Sequence, residues 1–203
     1  MVVAVIVGIG AGTATVLLGH HGSQAAGAGS GAAQHQPAPQ SSSPQDSLPS
    51  ASTEQAQLAQ VTPQIRQSVS ARSIVVRATQ GVGGCTMAPR RGISLMNHAI
   101  SERRAVITRI GTLSVTAVPN GQQLLADFKQ VLQRSIRADQ GFIGWMQDVK
   151  SSGTCPVNTT SDGSYQAGLR DSRQASSAKH SFLGLWNPLA SRSGQPRYTA
   201  SQI

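Results

Sequence analysis

Cys85 and Cys155 are the only thiols in the chain, and both sit in Gly-, Ser- and Thr-rich stretches just outside predicted helices. A pair placed there suits a staple between two ends of a helical bundle. Outside the cytoplasm it forms a disulfide; in the cytosol it stays as two free thiols. Closing so long a loop stabilises a fold by roughly 4 kcal/mol in the chain-entropy account. Two cysteines alone make a poor metal site, and His20, His21 and His35 have no Cys or acid at ligand spacing. No metal or cofactor is expected.

Catalytic chemistry has few candidates. Glu102 is the only glutamate after residue 55, and a cell-wall hydrolase could use it as a general acid. Arg103 and Arg104 follow it at once, which suits a surface ion pair better than a proton donor. His98 and His180 fall on predicted helices without a Ser, His and Asp constellation, and no G-x-S-x-G occurs. Gly8, Gly10 and Gly12 follow a β-branched run, but Thr13 occupies the third small-residue position of a dinucleotide-binding turn. The chain is therefore expected to be non-enzymatic, with an envelope hydrolase of unrecognised site as an alternative.

Arg103 and Asp139 both interrupt apolar stripes, on helices expected to be antiparallel neighbours. They pair across the interface, or each rotates to the stripe's edge and meets water.

The strongest compositional signal is charge. The chain carries a formal +9, and all 17 Lys and Arg lie at or after Arg66, with only Asp46 and Glu54 of the acids before it. The part from Arg66 onward is thus +11. Arg90, Arg91, Arg104 and Arg109 surround the second predicted helix, and Arg134 and Arg137 lie on the third, a possible surface for an anionic polymer or lipid headgroups. Simple solubility explains the same excess equally well. Nucleic acid is not expected, because stacking aromatics are not interleaved with the cations and no recognition motif occurs.

These residues need helices to position them. Asn120 to Lys150 has apolar residues at three- and four-residue steps, Leu125, Phe128, Leu132, Ile136, Ile143 and Met146, with Asn120 as the expected cap and Gln123 completing a capping box. A first helix is expected from Thr62-Pro63, with Ile65, Val69, Arg72 and Val76 on one face, softening at Ile74-Val75-Val76. A second spans Ile93 to about Val115, limited by Pro119. A fourth runs from Asp171, with Ala175, Ala178, Phe182 and Trp186 on one face, to a stop at Asn187-Pro188. Tyr198 and Ile203 are the tail's candidates for packing back.

The fold class is all-α: a small bundle of about four helices, stapled by a disulfide. Residues 1–19 form a transmembrane or signal-anchor segment, because Val2 to Leu18 is uncharged and apolar. Either a cytoplasmic part precedes Met1, or the run is a signal sequence with Ala26-Gly27-Ala28 as a cleavage pattern. Residues 20–54 are a low-complexity linker, too poor in large apolar side chains to fold, and residues 55–203 are the bundle.

The runs ISERRAVITRIGTLSVTAVP and LLADFKQVLQRSIRADQGFIGWMQDVK, the loop around Cys155 and the closing AKHSFLGLWNPLA resemble uncharacterised extracytoplasmic helical domains of high-GC Gram-positive bacteria. The resemblance spans about Ile93 to Ala190, rests on Ile100 to Arg103, Ser135 to Asp139, Trp145 and Trp186-Asn187-Pro188, and departs at the N-terminus, where no basic residue precedes the apolar run. It implies a single anchor, a linker and a bundle with two loop cysteines, without an assigned activity. The function expected is a membrane-tethered interaction or sensor module of the cell envelope. The alternative is a secreted basic domain binding an anionic cell-wall polymer.

Overall fold

Leu58, Val61 and Ile65 are fully buried, and they recur at helical spacing through a segment whose proline suggested a helix start. The computed structural model describes residues 51–155 and 159–203. The expected anchor, residues 1–19, and the linker up to residue 50 lie outside the described residues. Four helices are described: α1 Ala51–Gly83, α2 Pro89–Ile110, α3 Gly121–Ser152 and α4 Gly163–Arg192. No strand occurs among the described residues.

The helix α1, described from Ala51, includes the last four residues of the expected linker and holds Pro63 in its interior. Pro63 removes one intrahelical hydrogen bond, and the carbonyl it would have served belongs to exposed Ala59, within reach of water. Tertiary contacts then fix the first turns. Gln57 Nε2 donates to Thr116 Oγ1, its Oε1 accepts from the Ala117 amide, and Arg192 pairs with Glu54 at 2.8 Å. Farther along, Val75, Ala78 and Val82 are buried, so packing carries the helix through the β-branched run.

The helix α2 starts at Pro89 and stops at Ile110, a shift from the expected Ile93 to Val115. Val115 and Val118 are buried from the following loop instead. The helix α3 has the expected extent, but its start differs. Asn120 is left-handed, with φ 55°, and its side chain makes no capping bond. Gln123 donates to Asp127 Oδ1 at 2.6 Å, so no capping box forms. Gly121 explains the turn: a Cβ there would lie 2.4 Å from the Val115 carbonyl oxygen.

The helix α4 begins eight residues before Asp171, capped by Asp162, whose carboxylate accepts from the Tyr165 amide at 2.8 Å. It passes through Pro188, because Leu189 and Ala190 are buried and Asn187 holds Tyr198 by two hydrogen bonds of 2.9 and 3.0 Å. The residues after the helix lie back against α1 and α4. Trp186 Nε1 donates to the Pro196 carbonyl, Thr62 to Gln195, and Arg72 to the Ser201 carbonyl, while Ile203 is 1% exposed in the core.

The core is divided along the bundle axis. At one end Phe128, Phe182 and Trp186 stack, with ring centroids 4.8 and 6.3 Å apart, among Leu58, Ile65 and Leu132. At the other, Trp145 and Phe142 meet Tyr165 edge-on, beside Met96 and Met146. The closest helix contact, α3 on α4, runs through Gly141 and Gly168, where a Cβ on Gly141 would stand 2.5 Å from the Gly168 nitrogen. The cysteines are joined at this second end, Cys85 after α1 to Cys155 after α3, across 70 residues.

Candidate functional site

Between the two apolar half-cores lies a polar layer to which every helix contributes one ionisable side chain. These are Arg72 of α1, Arg103 of α2, Asp139 of α3 and Lys179 of α4. The charges stand where the two apolar sets meet: Arg103 lies between Ala99 of one and Val106 of the other, Arg72 and Asp139 directly follow Ala71 and Ala138 at the edge of the second, and Lys179 follows Ala178 at the edge of the first. Ser68 and Ser135, both buried, lie one turn before Arg72 and Asp139 on the same helices.

Arg103 Nη1 lies 2.6 Å from Asp139 Oδ2, and both side chains are 3% exposed. This is the arrangement expected of a helix-to-helix pair shielded from water. The pair is not self-sufficient. Arg103 Nε is buried with no partner among the described residues. Lys179, 4% exposed, makes no hydrogen bond or salt bridge to a described residue. Arg72 is half-buried and within electrostatic reach of the other three.

Three cations therefore face one carboxylate in a weakly screened interior. Burial raises the Asp139 pKa to about 6, opposed by Arg103, Lys179 and Arg72. Burial, then Arg72 and Arg103, lower Lys179 to about 7, opposed by Asp139. Burial also lowers Arg103 and Arg72. The layer thus holds a lysine and an aspartate whose charges change near neutral and mildly acidic pH. No known protein family, curated protein or solved structure matches this chain.

The six surface arginines do not converge. Arg90 and Arg91 are exposed on the first turn of α2, near the disulfide, and Arg104 and Arg109 are exposed toward its other end. Arg90 and Arg109 are separated by about 28 Å along the helix axis at 1.5 Å per residue. Arg109 donates to Gln67. Arg134 is half-buried and donates to Gln174 of α4, and Arg137 approaches Asp171 at 3.9 Å. Glu102, the candidate general acid, accepts from Gln67. Among the described residues, no group of three or more His, Cys, Asp or Glu could hold a metal, and no helix is long and apolar enough to cross a membrane.

Two members of the layer were legible but unread. Arg72 falls on the apolar face with Ile65, Val69 and Val76, and Lys179 sits one turn after Ala175 and three residues before Phe182. One charge on every apolar stripe, near mid-helix, is the signal of a polar layer.

Proposed function

We propose that this chain is a non-enzymatic sensor or interaction module of the cell envelope, its helical domain held outside the membrane by the N-terminal segment. The observation that carries the sensor reading is the four-helix layer with three cations against one carboxylate. Burying charge without full compensation costs stability. A change in the layer's protonation, or an anion delivered to it, therefore alters the relative energies of helix arrangements. That couples a local chemical event to the whole bundle. The joined Cys85 and Cys155 support the envelope placement, since such bonds persist in oxidising compartments.

Protease added to intact cells should release the domain from the membrane fraction, and a domain recovered from the cytosol would overturn the placement. In the purified chain, the amide protection factors along the middle turns of all four helices, which are corrected for the intrinsic pH dependence of exchange, should change as the pH crosses about 7, where Lys179 titrates. Unchanged protection there removes the sensor part of the reading.

A second reading, binding of an anionic cell-wall polymer, is favoured by the exterior of α1 and α2. Arg66, Arg77, Arg90, Arg91, Arg104 and Arg109 are all exposed there, whereas the only acids of these helices, Glu54 and Glu102, are engaged by Arg192 and Gln67. Binding that survives physiological salt supports this reading. Binding only at low salt leaves the charge non-specific.

A further inference from the structure

The layer reaches the surface at Arg72. Beside it, between α1, the turn into α2 and the C-terminal segment, an open groove of about 550 Å³ is lined by Val69, Arg72, Val76, Arg77, Gln80 and Met87, among others. That volume lies in the range of sites for small organic molecules. Both charged residues of the lining are arginines, and no carboxylate belongs to it. Val69, Val76 and Met87 supply an apolar wall, and a methionine adapts readily to ligand shape.

Arg72 is prepared for a ligand in a way that exposed Arg77 is not. Its Nε donates to the Ser201 carbonyl at 2.7 Å, which fixes the guanidinium plane. Its two terminal nitrogens have no hydrogen bond or salt bridge to a described residue. A guanidinium held at one nitrogen and open at two presents the fork that a carboxylate accepts in bidentate fashion. Behind it stand Arg103 and Lys179 with the single carboxylate of Asp139, so the local field favours a further negative charge.

We infer that this groove binds a small amphiphilic monoanion, a carboxylate on an apolar chain, with its head on Arg72 and Arg77 and its chain along Val76 and Met87. A bare inorganic anion would leave the apolar wall wet, and a neutral or cationic amphiphile would leave the arginines unpaired. The inference rests on the sensor reading in one respect, that Arg72 joins the groove to the buried layer. A carboxylate seated on Arg72 favours the charged form of Lys179, so the site would report to the layer.

The test uses the full chain in phosphatidylcholine nanodiscs, labelled with ¹³C at the methionine methyls and titrated with hexanoate. The Met87 methyl resonance should shift to saturation. Acetate and hexylammonium should each bind at least about tenfold more weakly, and Arg77→Gln, on an exposed side chain, should weaken hexanoate about tenfold, the scale of one charge-assisted hydrogen bond. A motionless Met87 resonance, equal affinity for hexylammonium, or an unaffected Arg77→Gln variant would each overturn the inference. Hexanoate binding as described, in a chain whose amide protection factors do not change with pH, would uphold the groove and sink the sensor reading alone.

Discussion

Replacing Lys179 by methionine removes a buried cation and keeps its length and apolar stem. Lys179 is 4% exposed, with a pKa lowered from 10.5 to about 7. The sign follows from proton counts. Between about pH 7 and pH 10.5 the unfolded chain binds this proton and the folded chain does not, so stability rises with pH across that window, and the penalty of the buried charge is complete below about pH 7. A shift of this size corresponds to about 5 kcal/mol of pH-dependent stability, taken as an order of magnitude, at 1.36 kcal/mol per unit. The wild-type unfolding temperature should climb through this window, after allowing for other groups whose titration differs between the folded and unfolded states. Lys179→Met should be flat there and more stable than wild type at pH 7 by on the order of 2–4 kcal/mol, equivalent to roughly 4–16 °C at 2–4 °C per kcal/mol for a chain of this size. Thermal unfolding followed by circular dichroism reads both. A methionine variant less stable than wild type at pH 7, or a wild type whose stability ignores pH between 7 and 10, would refute the claim that this lysine is an uncompensated buried charge.

Asp139→Asn should lower stability by about 3–5 kcal/mol at neutral pH, because it leaves Arg103 buried without its only counter-charge, and chemical unfolding would measure it. In the same series, Asp139→Asn combined with Lys179→Met should cost less than the two single effects predict, since the double variant buries one cation fewer. Reducing the Cys85–Cys155 bond should cost about 4 kcal/mol for a loop of 70 residues, read as a lower denaturant midpoint in reductant. Gly141→Ala should destabilise by about 1–3 kcal/mol, since its Cβ would overlap the Gly168 backbone of α4, and a neutral result in thermal unfolding would contradict the close crossing.

Most of the scaffold was legible because it depends on periodicity. The apolar steps of α3 predict its extent, and Gly153, left-handed at φ 64°, ends it just past the expected limit at Lys150. What failed was punctuation. Pro63 and Pro188 read as helix limits, yet both lie inside helices, because the residues beyond them are buried and the hydrogen bonds they forfeit cost less than unpacking Leu58 or Leu189. Asn120 read as a side-chain cap, but the chain reaches α3 through a left-handed turn that an asparagine tolerates. These are tertiary effects that a local rule does not contain.

The site failed in a different way. The Arg103 and Asp139 positions emerged because each breaks a strong stripe on helices joined by one loop. Lys179 and Arg72 break stripes equally, but their helices are remote from each other in sequence, and only the bundle sets them at the same level. A lone lysine on an apolar face is ordinarily accommodated by extending its ammonium to water. Here 4% exposure leaves Lys179 only a narrow edge of solvent, and the nearest acid already serves Arg103. The single aspartate in the layer therefore decides the chemistry: a second would have made the layer an inert network. With one carboxylate for three cations, its stability depends on pH and on any anion that reaches Arg72.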